Sequence, residues 1–298
     1  MKIIHWKIIS LFVITLTFGW TSEMGSGYNI QKPNTSFVLP DILHEISGLT
    51  DIDQRTIACI QDEKGIIFIY DIVSNKIVKQ YNFHIDGDYE GISKVGNTMY
   101  VLRSDGVLLE FLNYQSPNFK LKTYQTGIPA NNNEGLCYDA DSNMLLIANK
   151  GKSVKGKEFK DKRAIYGFDL KTKKLISTPI YEFDVNEIKK HIANKKIKVS
   201  TKLKKGENPE PFIKFMTSAI AIHPVSKKLY VLSAADHLFF VFNRNGSIHH
   251  LESLNATVFN KAEGLTFLEN GDMLISNEGQ QKKPTFLRFN YKSNSVKK

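Results

Sequence analysis

The chain has 298 residues, 42 % apolar and 11 % aromatic, a size and composition that suit one core rather than two domains. Its 40 Lys and Arg outweigh 30 Asp and Glu, for a formal charge of +10. There is no G-x-S-x-G elbow, no H-E-x-x-H and no Gly-rich phosphate loop, which excludes the enzyme classes those motifs mark, and two cysteines do not make a metal site.

Residues 1–22 read as a signal peptide or an N-terminal anchor. Lys2 and Lys7 accompany an apolar run from Ile8 to Trp20, about the length of a secretory h-region and shorter than the ~20 residues of a membrane span. Thr21-Ser22 and Gly25-Ser26-Gly27 supply small residues for cleavage without an A-x-A pattern, so an uncleaved anchor stays open, and no Cys closely follows to carry a lipid. The chain is expected to be exported to the periplasm or cell envelope as a monomer, with residues 28–298 forming a single domain. In the lead-in, Phe37-Val38-Leu39 is a short strand before Pro40, expected to pair with the last unit of the chain and close a ring.

From there one tripeptide keeps returning: Ser47-Gly48-Leu49, Glu90-Gly91-Ile92, Glu134-Gly135-Leu136, Ser218-Ala219-Ile220 and Glu263-Gly264-Leu265. The steps between copies are 43, 44, 84 and 45 residues. Each copy opens a run of short β-branched and aromatic segments separated by Asn, Asp and Gly turns, as in Glu134 to Asp139, the turn 140–143, then Met144 to Asn149. Four strands in roughly 40–45 residues, repeated, predict propeller blades. The blades span about 45–83, 88–125, 132–183, 216–254 and 262–291. The fold class is therefore all-β: a five-bladed β-propeller with a Lys-rich insertion in the third blade.

That insertion, from about Tyr181 to Phe215, accounts for the doubled step. Asp184-Val185-Asn186-Glu187 has capping-box spacing, and Ile188 and Ile192 share a face, which predicts a short helix. Residues 150–214 hold 19 of the 40 basic residues and only 8 of the 30 acidic ones, a net of +11; the rest, 21 basic against 22 acidic, is at −1. The excursion is either a solvated face or a contact for an anionic surface or envelope partner. Few Arg and no interleaved aromatics speak against nucleic acid. Cys59 and Cys137 fall in blades that are not neighbours, so no disulfide is expected.

The first strand of a propeller blade lines the central channel, so the five repeat positions converge near the axis. Three carry carboxylates, Glu90, Glu134 and Glu263, which repel one another unless a cation sits between them. A hard divalent cation with oxygen ligands, most simply calcium, fits this set. The competing reading has these side chains bond to backbone amides of the next blade and only register the ring.

With Ile46-Ser47-Gly48-Leu49, Asp88-Tyr89-Glu90-Gly91-Ile92, Asn133-Glu134-Gly135-Leu136 and Ala262-Glu263-Gly264-Leu265 followed by Ile275-Ser276-Asn277-Glu278, the chain resembles the SdiA-regulated (YjiK-like) family over roughly 35–291. That family is distantly similar to NHL-repeat proteins. The resemblance implies a five-bladed propeller with a calcium site and no established catalytic activity; Glu90, Glu134 and Glu263 are the ligands it carries over. The resulting expectation is an exported calcium-binding propeller that binds or organises a surface at the cell envelope. The alternative is a calcium-dependent hydrolase of lactonase or phosphoesterase type, with His84 and Asp88, or Asp236 and His237, beside the metal. A second ring of polar residues, Asp62-Glu63, Ser104-Asp105, Asn149, Asp236 and Asn277-Glu278, falls at the ends of the second strands, where turn chemistry is the ordinary role.

Overall fold

The computed structural model describes residues 25–292 apart from 117, 131, 153, 155 and 204–207. The signal or anchor reading, placed on 1–22, lies outside the described residues. Strand β1 (Thr35–Val38) precedes five antiparallel sheets. Blade one is β2 (Ile46–Asp51), β3 (Thr56–Gln61), β4 (Ile66–Asp71) and β5 (Lys76–Asn82); blade two is β6 (Tyr89–Val95), β7 (Thr98–Arg103), β8 (Val107–Leu112) and β9 (Lys120–Gln125). Blade three begins β10 (Asn133–Asp139), β11 (Met144–Asn149) and β12 (Lys162–Asp169), and its outer strand is split into β13 (Lys174–Leu175) and β14 (Tyr181–Asp184). After an insertion come β17 (Ala219–Ile222), β18 (Leu229–Ser233), β19 (Leu238–Phe242) and β20 (Ile248–Ser253) of blade four, then β21 (Ala262–Phe267), β22 (Met273–Asn277) and β23 (Thr285–Phe289) of blade five.

The innermost strands touch in cyclic order, β2 on β6, β6 on β10, β10 on β17, β17 on β21 and β21 back on β2. This is the five-bladed propeller the repeat spacing predicts. Each blade is sandwiched between two others, so its middle strands are apolar on both faces; every residue of β19 is buried. Five apolar clusters follow, one between each pair of neighbours. The outer strands β5 and β9 face solvent and carry Lys76, Lys79, Lys120 and Lys122, which protect exposed sheet edges. In blade five the outer strand is β1, paired antiparallel to β23 from Thr35 opposite Arg288 to Val38 opposite Thr285, as the lead-in expectation had it.

The insertion is shorter than its sequence bounds. Tyr181 to Asp184 belong to the blade as β14, because they pair with Lys162 to Ile165 of β12. The helix α1 (Val185–Lys195) starts immediately after, and the Asp184 side chain accepts from the Asn186 N–H, the cap that satisfies an orphan donor. Val185, Ile188 and Ile192 turn inward onto Phe183, Phe215 and Phe242. A short hairpin, β15 (Thr201–Lys202) with β16 (Glu210–Pro211), follows. Cys59 and Cys137 are buried free thiols.

Candidate functional site

The repeated tripeptide takes its geometry from a β-bulge. In blade one Ile46 faces Gln61 and Gly48 faces Ile60, which leaves Ser47 as the extra residue. Glu90, Glu134 and Glu263 are the extra residues of their blades in the same way. A bulged residue leaves the ladder and its side chain is re-aimed. The innermost pair of blade four has no bulge, and Ala219 pairs directly with Leu232. Ser47, Glu90, Glu134, Ser218 and Glu263 together line one cavity of about 10 Å³ at the channel mouth, roughly the room one water needs. The structure thus brings all three sequence-predicted glutamates to one place. The glycine serves close approach: a Cβ on Gly91 would lie 2.7 Å from Leu136 Cβ, and one on Gly135 2.9 Å from Ile220 Cγ1.

Leu49, Ile92, Leu136 and Leu265 line this cavity and also a second one of about 260 Å³ further along the channel. That second cavity carries Thr50, Asp51, Lys94, Thr266 and Glu269. Its threonines tie blades together: Thr50 Oγ1 accepts from the Lys94 N–H at 3.1 Å and Thr266 Oγ1 from the Asp51 N–H at 3.2 Å.

The mouth is electrostatically crowded. Burial, then Asp88, pushes the Glu90 carboxyl up to about 7. Burial, then Glu263 and Glu90, pushes Glu134 up. Burial also pushes Glu263 up, against the pull of Lys261 and Lys150. Lys150 Nζ pairs with Glu134 Oε1, and Lys261 Nζ lies 2.6 Å from Glu278 Oε1 and 3.5 Å from Glu263 Oε1. Apart from this Lys150 ammonium, both Glu134 oxygens are buried with no hydrogen-bond partner among the described residues. The serines at the same repeat position tie neighbouring blades: Ser47 Oγ donates to Tyr89 O, and Ser218 Oγ to Ala262 O, each at 2.7 Å.

Of the second ring, Asn149 and Asn277 stand across the ladder from Asn133 and Ala262, beside the bulges of Glu134 and Glu263. Their amide nitrogens donate to Asn133 Oδ1 at 2.6 Å and to Val258 O at 2.9 Å, and both Oδ1 atoms are buried without a partner among the described residues. The Asp62 carboxyl is pushed up to about 6 by burial and by Glu45, Glu278, Glu63 and Asp88. Asp105 pairs with Arg103 at 2.5 Å. Asp236 accepts from the Lys214 and Phe215 N–H groups at 2.8 and 2.7 Å and from Ser233 Oγ at 2.8 Å, pinning the end of the insertion. His84 Nδ1 meets the Tyr89 hydroxyl at 3.0 Å, Asp88 accepts from Ser104 Oγ, and His237 closes a 3-10 turn at φ 48°. His84, Asp88 and Asp236 thus each have a side-chain partner within their own loops or the adjoining strand.

Lys150 and Lys261, and the second cavity, escaped the sequence reading. The signal was there: Lys150 directly follows Asn149, and Lys261 precedes Glu263 by two residues. The donors at the mouth are oxygens, with no His or Cys, which suits a hard cation such as calcium. Among the described residues no three His, Cys, Asp or Glu side chains converge closely enough to hold a metal as they stand; the two ammonium groups supply the positive charge.

Several solved structures resemble the fold. Myxococcus xanthus glutaminyl cyclase superposes with a TM-score of 0.57 at 11 % identity, over 88 % of this chain and 96 % of that one. A streptogramin B lyase follows at 0.48 and 13 %, over 86 % and 97 %. A Bacteroides caccae protein of unknown function follows at 0.46 and 13 %, over 82 % and 72 %. At these identities the likeness is one of fold alone. No curated protein sequence matches. The family model described as SdiA-regulated matches residues 26–290, which takes in every strand and the whole mouth. The chain belongs to the SdiA-regulated family.

Proposed function

We propose that the protein is a non-catalytic binding propeller whose carboxylate mouth takes up calcium. The observation that carries this reading is Glu134: its carboxylate is buried beside Glu90 and Glu263 with the Lys150 ammonium at Oε1 and no hydrogen-bond partner for Oε2 among the described residues. Keeping three carboxylates charged while buried together is costly in principle, and a divalent cation offsets three such charges better than two ammonium groups held on flexible stems. Glu90, Glu134 and Glu263 would hold it, with the Asn149 and Asn277 carbonyl oxygens as neutral donors nearby. The ion would supply charge and rigidity at the point where five blades meet. Export to the cell envelope is part of the reading and is supported by Lys2, Lys7 and the apolar run 8–20; among the described residues no helix is long and apolar enough to cross a membrane.

The test is thermal unfolding with calcium and with chelator, on wild type and Glu134→Gln. Binding to the folded state alone stabilises by RT ln(1 + [L]/Kd), about 2.7 kcal/mol at a hundredfold excess over Kd. Calcium is expected to raise the wild-type midpoint and to lose most of that effect in Glu134→Gln. In chelator the variant is expected to melt above wild type, because one buried repulsion is gone. If calcium moves neither protein, the mouth is held by its lysines alone and the metal reading fails.

A further inference from the structure

The positive charge of this chain is not spread over the propeller. Residues 150–214 carry a net of +11, against −1 for the remainder. Part of that excess lines a cleft of about 500 Å³ between α1, the β15–β16 hairpin and the start of β12. Lys160, Lys189, Lys202 and Lys214 edge it, with Asp161 and Glu210 as the opposing carboxylates. Among the described residues the ion pairs made nearby, Lys162 with Asp184 and Lys190 with Glu187, leave these four lysines out. Beside them, Phe212 is 48 % and Leu203 68 % exposed.

We propose that this face docks the propeller onto an anionic lipid surface, the cleft lysines meeting headgroup phosphates while Leu203 and Phe212 enter the apolar layer. The cleft has a fixed frame. Arg163 is buried, and its guanidinium donates to the carbonyls of Phe215 and Lys214 on one side and of Lys160 and Lys162 on the other, at 2.6 to 3.0 Å. Four of its five N–H donors are used on backbone, so it orients the strands that carry Lys160 and Lys214. The α1 wall is fixed in turn by Ile188 and Ile192 in the core. Charge alone would suit any polyanion. An exposed aromatic and an exposed leucine set on a hairpin among lysines add what a bilayer uses and a soluble polyanion does not, a place for apolar side chains below the headgroups.

The experiment is cosedimentation of residues 25–298, whose five blades close without the preceding segment, in chelator. Two vesicle types are compared: phosphatidylcholine alone, and phosphatidylcholine with about a third phosphatidylglycerol. Binding to the anionic vesicles is expected to be at least about tenfold tighter, since each lysine near such a surface contributes roughly a factor of five. It is expected to fall with added salt and to be lost in Lys189→Glu/Lys202→Glu/Lys214→Glu. Leu203→Ser/Phe212→Ser is expected to weaken it severalfold with its salt dependence retained. Melting temperatures check the fold; should the triple variant misfold, Lys202→Gln with a measurable loss serves in its place. Equal binding to both vesicle types overturns the proposal. So does a folded charge variant that binds like wild type. Heparin binding as tight as vesicle binding, with Leu203→Ser/Phe212→Ser indistinguishable from wild type, replaces the lipid surface with a soluble polyanion.

Discussion

At the scale of single residues, ionisable groups in this protein are governed by burial. His223 is fully buried where β17 ends. Its Nδ1 accepts the N–H groups of Val225 and Ser226 at 3.1 and 2.9 Å, and its Nε2 donates to the Tyr28 hydroxyl at 2.8 Å. A second proton would have to sit on Nδ1, facing two donors. Burial, then Lys228 and Lys227, holds the imidazole down to about 4 from an ordinary 6.5. Between those values the unfolded chain binds the proton and the folded chain does not, so stability is present above pH 6.5 and is lost as pH falls through about 4. The loss is on the order of 3 kcal/mol. Urea unfolding of wild type and His223→Asn across this range should show the gap between them narrowing towards low pH; parallel curves would sink the argument. Glu90 has the opposite sign. Its carboxyl, pushed up to about 7, stays protonated at low pH and must release that proton to take part in the proposed calcium site, so on that proposal calcium affinity should rise through neutral pH. Isothermal titration at pH 6 and 8 checks it, and a flat profile would remove Glu90 from the ligand set.

At the scale of elements, the bulge and its glycine are one device. The extra residue re-aims a side chain into the channel, and the missing Cβ lets the next blade come up against the strand. Gly91→Ala puts a methyl 2.7 Å from Leu136 Cβ and 3.1 Å from the Glu134 carbonyl of the neighbouring blade. Both are held by strands, so neither can yield freely. A loss of about 1–3 kcal/mol is expected. Gly151, with nothing within 4 Å of its ideal Cβ, should accept alanine with no measurable loss in the same denaturation series. This pairing explains why the blades could be read from the chain. The bulge recurs in four of the five innermost strands, each time as a recognisable Glu-Gly or Ser-Gly, and the strand runs are long and apolar. Other features had no such signature. Lys173 of the third blade reaches Glu110 of the second at 2.5 Å, and Lys150 reaches Glu134. A four-carbon stem spans distances that strand spacing does not encode. The second cavity is built from three or four residues of each of five blades, so no single stretch announces it. The split outer strand of blade three depends on which short segment pairs with β12, and Tyr181 to Asp184 look as much like the start of an insertion as the end of a blade.

At the scale of the molecule, a propeller is a ring, and a ring holds only if its ends are joined. Here the join is noncovalent: β1 supplies the outer strand of the last blade, register Thr35 to Arg288 through Val38 to Thr285. Ahead of it Tyr28 and Ile30 are buried in the cluster between blades four and five, where Tyr28 bridges His223 and the Gly271 carbonyl. Without this segment blade five keeps three strands and presents β23 as a bare edge. Burial of Tyr28 and Ile30 alone is worth about 2–3 kcal/mol each, and four strand pairings go with it. A chain beginning at residue 39 is therefore expected to lose at least about 5 kcal/mol, or to associate edge to edge. Because each blade packs on two others, one weakened blade should lower the midpoint of the whole transition rather than add a separate early one. A synthetic peptide of residues 25–40 supplied in trans should restore much of the loss, as it replaces the strand and both buried side chains. Scanning calorimetry of the truncated chain with and without the peptide decides the matter. An unshifted midpoint after truncation would mean that the ring is held by its five inter-blade clusters and that the join between its ends contributes little.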